Sequence, residues 1–69
     1  MDVYRGFCQQ IDDGVYDDGQ GLQRSGLQRL IMATDPHVIS GGLTTEEQHH
    51  LELRLLERGR EQYEERQTG

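Results

Sequence analysis

The sequence has no tryptophan and no lysine, and it holds one cysteine, one proline and one phenylalanine among 69 residues. A single cysteine excludes a disulfide within the chain. At an apolar helical position such as Cys8 it reads as a small core residue, and one thiol suits a reducing compartment better than a secreted disulfide scaffold. No stretch approaches the roughly 20 consecutive apolar residues that a membrane span needs. The opening residues are no secretory signal, because Asp2 is acidic and no apolar run follows it. The chain is therefore expected to be cytoplasmic. All seven basic residues are arginine. Lysine codons are A-rich, so this absence points to a GC-rich coding genome, and a short frame beginning at Met1 suits a bacterial or phage gene.

Aromatic residues make up only 6% of the chain and hydrophobic residues 32%. A chain of this size sits where one core barely offsets the entropy of folding, and chains of this kind often gain stability from a metal or a second polypeptide.

What charge there is lies in blocks. Residues 1–19 carry five aspartates against Arg5, a net −4. Residues 20–34 carry Arg24 and Arg29 and no acid, and residues 35–69 return to net −4. The total of −6 opposes general adhesion to phosphate backbones or anionic lipids.

Three periodic stretches predict an all-α protein of three helices in a single domain spanning residues 1–69. In the first, about residues 2–12, Val3, Tyr4, Phe7, Cys8 and Ile11 fall in one arc of a helical wheel, with Asp2 placed to cap the start. The segment Asp12-Asp13-Gly14 to Asp17-Asp18-Gly19 reads as turns, with Val15 and Tyr16 free to pack back on the core. The second helix, about residues 20–34, has Asp18 as its expected N-cap. Leu27, Leu30, Ile31 and Thr34 line one face with Gln23, and Leu22, Ser25, Arg29 and Met32 line another. Pro36 is expected to end it, since the residue before proline avoids the helical region. One helical turn can follow at Asp35-Pro36 before Gly41-Gly42 allows a reversal. The third helix, about residues 44–66, opens with Thr44 and Glu47 in the spacing of a capping box. Along it His49, Leu53, Leu56, Arg60 and Tyr63 recur at alternating four and three, with Leu51 and Leu55 widening the apolar face.

Chemistry is mostly absent. His49 and His50 point about 100° apart on a helix and cannot readily share an ion, and no zinc spacing occurs. The aspartates between residues 12 and 18 lack the alternating ligands of a calcium loop. Cys8 sits on an apolar face, where burial raises a thiol's pKa. Gly19-Gln20-Gly21 and Gly41-Gly42 match no phosphate-binding frame. No enzyme activity, cofactor or metal is expected. The glutamates of the third helix are interleaved with Arg54, Arg58, Arg60 and Arg66, which suits a salt-bridged solvated helix more than a mimic of nucleic acid.

Two functional expectations remain. The first is a small non-enzymatic regulator or inhibitor that binds another protein through Leu22, Met32, Leu51, Leu55 and Tyr63. It forms a homodimer through the third helix or the second side of the middle one, and the bound protein belongs to the host of a bacterium-like or phage-like source. The alternative is a helix-turn-helix DNA-binding regulator that reads base edges with Gln23, Arg24, Gln28 and Arg29.

Overall fold

The computed structural model describes residues 2–19 and 23–61, together with the backbone of the last helix as far as Thr68. It contains α1 (Val3–Asp12), α2 (Arg24–Ser40) and α3 (Thr45–Thr68), with no strand among the described residues. The all-α, three-helix expectation holds.

Local chemistry sets most of the helix ends. The Asp2 side chain accepts from the Tyr4 amide at 3.2 Å and caps α1. The same helix closes with the Gly14 amide on the Ile11 carbonyl and the Val15 amide on that of Gln10, a Schellman motif. It needs a left-handed residue at its hinge, and Gly14 has φ 86°. At the start of α3 the Thr44 hydroxyl accepts from the Glu47 amide and the Glu47 carboxylate accepts from the Thr44 amide, both at 3.0 Å. The reciprocal capping box is therefore in place.

The start of α2 departs from expectation. The helix begins at Arg24 and not near residue 20, and its N-cap position is Gln23, in left-handed backbone at φ 54° with no side-chain cap bond. Asp18 lies outside the helix and meets it through the Ser25 hydroxyl at 3.4 Å. Tyr16 explains the shift. It is buried in the turn, and its backbone carbonyl packs so tightly on Gly26 that a Cβ there would collide with it. The first turn of α2 thus starts where the preceding turn segment can lie against a residue without a side chain.

The end of α2 is also corrected, because Pro36 lies inside the helix, which runs on to Ser40. Proline removes one helical N–H, the partner of the carbonyl four residues back. That carbonyl belongs to Met32, on an exposed part of the helix where water can reach it. The extra turn brings His37 edge-on to Phe7, with ring centroids 5.5 Å apart, and sets partly buried Val38 against the core. Gly41, at φ 87°, closes the helix with its amide on the Val38 carbonyl at 3.2 Å, and the Leu43 amide returns to the His37 carbonyl at 3.1 Å.

Both α1 and α2 pack on α3. The core is Phe7 and Ile11 from α1, Tyr16 from the turn, Leu30 from α2, Leu43 from the connector, and Leu51 and Leu55 from α3. Val3, Tyr4, Cys8 and Leu27 pack around it, so the expected inner faces of α1 and α2 hold. Two buried polar side chains sit along α2. The Thr34 hydroxyl donates to the Leu30 carbonyl and accepts from Gln48 Nε2, both at 2.8 Å. Gln23 donates to the Asp17 carboxylate and accepts from the Asp18 amide, both at 2.8 Å. Each is satisfied, so neither carries the cost of a lost partner.

Candidate functional site

Two arginines one turn apart on α3 tie that helix to α1 and to the turn that follows it. Arg54 grips Asp12 of α1 with two hydrogen bonds, Nε to Oδ1 at 3.1 Å and Nη2 to Oδ2 at 2.7 Å. Arg58 places Nε 3.0 and 3.1 Å from the two carboxylate oxygens of Asp17. The Arg54 guanidinium holds the Asp12 carboxyl below its ordinary pKa, chiefly through this hydrogen bond. Asp17 thereby joins three elements, since it also accepts from Gln23 at the start of α2. Asp12 at the end of α1 and Asp17 in the turn serve as structural clasps, and Arg58 reaches across to Asp17 in addition to lying near Glu61 on its own helix.

Between the two clasps lies an open polar groove of about 200 Å³, lined by Asp12, Arg54, Glu57, Arg58 and Glu61. It holds no hydroxyl or thiol nucleophile, and its cations are engaged by carboxylates. No cluster of three histidine, cysteine or acidic side chains suited to a metal occurs among the described residues. Burial raises the pKa of the Tyr16 phenol, which donates to Gln10 Oε1 at 3.0 Å and is occupied in packing. The phenol of Tyr4 is likewise raised, first through its hydrogen bond with Cys8.

The large apolar side chains that the helices leave exposed lie on the outward faces of α2 and α3. Along α2, Met32 is 67% exposed and Ile39 is 87% exposed, seven residues apart and so on one stripe. Exposed Ser25, Gln28 and Arg29 continue that stripe toward the start of the helix. The Arg29 guanidinium lies 6.0 Å from the centre of the Tyr16 ring. Along α3, Leu53 and Leu56 are 48% and 38% exposed.

Among the expected protein contacts, Met32 is on the surface. Leu51 and Leu55 are fully buried core residues and offer a partner nothing. Four leucines at 51, 53, 55 and 56 permit two apolar stripes. The one completed by Gln48 and buried Gly59 faces inward, where Leu51 and Leu55 join Phe7, Ile11, Tyr16 and Leu30 in the core, and the Asp12 and Asp17 clasps lie at its rim. Leu22 and Tyr63 lie outside the described residues. Among the expected DNA contacts, Arg24, Gln28 and Arg29 are exposed, but Gln23 is fully buried with its amide committed to Asp17 and Asp18, so it cannot reach a base edge. Sequence reasoning missed Ile39. Its seven-residue spacing from Met32 was visible, but only on the premise that the helix continues through Pro36. No helix among the described residues is long and apolar enough to cross a membrane.

No protein-family model matches the chain, and neither a curated protein nor a solved structure shows significant similarity to it.

Proposed function

We propose that this chain is a small non-enzymatic regulator that binds a partner protein through the outer stripe of α2, acting in the cytoplasm as a homodimer joined by α3. The observation that carries the α2 assignment is the pairing of Met32 and Ile39. Two large aliphatic groups stand in water on one helix face, about two turns apart with exposed Asp35 and Pro36 between them. The surface has a polarity along its length, with Arg29 and Gln28 at one end and Met32 and Ile39 at the other. It fits a partner with an apolar slot beside an acidic rim, in the manner of a helix laid into a groove.

DNA reading by α2 is the second possibility, favoured by the exposure of Arg24 and Arg29 with no ion pair to either among the described residues. The net charge of −6 and the loss of Gln23 to the interior weigh against it.

The test is affinity capture from a nuclease-treated lysate of the source organism, comparing the natural chain with Met32→Glu and Ile39→Glu. Both variants are expected to keep their helicity and to lose a captured protein, by about tenfold or more in affinity if each side chain fills a pocket. Identical capture by all three chains refutes the α2 surface. A duplex shift that weakens steeply with salt and with Arg24→Ala establishes the DNA alternative.

A further inference from the structure

Glu46, Leu53 and Arg60 are spaced seven apart on α3, and all three are exposed. At about 100° per residue they form one nearly straight stripe, with an acid at one end, a leucine in the middle and an arginine at the other. The stripe lies well round the helix from Leu51 and Leu55, roughly 160–200° away, so it points away from α1 and α2. Leu56 flanks it on one side beside His49, and exposed His50 and Glu57 flank it on the other.

We propose that this stripe pairs with the same stripe of a second copy in antiparallel orientation, about a two-fold axis at Leu53. The proposal rests on the homodimer part of the function given above and names its geometry. Charge decides the direction. An antiparallel pair sets Leu53 on Leu53 and brings Glu46 of each copy to Arg60 of the other. On the flanks Leu56 covers His49, which is held 3.4 Å from its own Glu52, and His50 meets Glu57. A parallel pair in register sets Glu46 against Glu46 and Arg60 against Arg60, stacking like charges at both ends. Opposite charges beside an apolar seam select partner direction in helix pairs. With Leu53 and Leu56 as the apolar content from each copy, the interface belongs to the small class, under roughly 1,200 Å² in total, and its association is correspondingly weak.

The test is sedimentation equilibrium of the full chain from about 10 µM to about 1 mM, the range in which so small an interface is occupied. The natural chain is expected to dimerise, and Leu53→Glu to weaken the dimer about tenfold or more. Glu46→Arg and Arg60→Glu are each expected to weaken it about fivefold, and the doubly reversed chain to regain most of that loss. In a Cys8→Ser background, a mixture of Glu46→Cys and Arg60→Cys chains is expected to give the mixed disulfide in excess over either like pair. A chain that stays monomeric throughout overturns both this geometry and the homodimer. Like-pair disulfides in excess, or a dimer lost with Met32→Glu and kept with Leu53→Glu, overturn the geometry and leave the homodimer standing.

Discussion

The starts of α2 and α3 are built on opposite plans. The start of α3 is closed by its own sequence, through the reciprocal bonds of Thr44 and Glu47 three residues apart. The start of α2 has no side-chain cap, and its N-cap residue Gln23 sits in left-handed backbone with its side chain turned to Asp17 and Asp18. One helix start is a local motif, and the other is a joint among the turn, α2 and α3. A local cap fails alone when it is cut. A joint transmits its failure to every element it ties.

The largest effect is expected at Gly26. An alanine Cβ there meets the Tyr16 carbonyl, which is backbone and cannot rotate away, so Gly26→Ala should cost about 3 kcal/mol. That is a large share of the total for a domain of this size, at roughly 0.05–0.15 kcal/mol per residue. Urea unfolding followed by far-ultraviolet circular dichroism measures it, and a loss under about 1 kcal/mol would mean that the turn segment does not lie on Gly26.

A smaller effect separates the two roles of Gln23. Gln23→Ala removes the bonds to Asp17 and Asp18 and leaves a side chain in left-handed backbone, for a loss of about 2–3 kcal/mol. Gln23→Gly removes the same bonds but relieves the backbone, and should be the more stable of the two by about 1 kcal/mol. If alanine is instead equal or better in the same unfolding assay, the left-handed start of α2 is wrong.

The smallest effect belongs to the locally closed start. Thr44→Ala should cost about 1 kcal/mol and act mainly on the first turn of α3. Amide hydrogen exchange checks the contrast. Protection should fall at the Glu47 and Gln48 amides, which bond to Thr44, in this variant, but across the turn and both helices in Gln23→Ala. Global loss in both would erase the distinction between a cap and a joint.

The same division governs what could be read in advance. The ends of α1 and the start of α3 were legible because Asp2, Gly14, Thr44 and Glu47 act on residues a few positions away. The inner face of α1 was legible from its single apolar arc, and that of α2 was one of the two faces its spacing offered. The inward face of α3 was not, because two stripes were available and the regular spacing of His49, Leu53, Leu56 and Arg60 favoured the outer one. Pro36 misled for a similar reason. Its cost is local and visible in the sequence, whereas the contacts of His37, Val38 and Leu43 that offset it are tertiary. The residues expected to meet a partner inherited both errors, since Leu51 and Leu55 are buried and exposed Ile39 was not among them.

By itself the sequence determined three helices, the local caps of α1 and α3 and the net acidity, since these depend on composition and on hydrogen bonds and periodicity within a few residues. The tertiary structure alone decided which leucines of α3 lie inside and where α2 begins and ends. Those choices turn on Leu51 and Leu55 joining Phe7 and Ile11 in one core some forty residues away, with the Asp12 and Asp17 clasps at its rim, and on Tyr16 settling against Gly26. Contacts so distant along the chain leave no periodic trace in the residues between them.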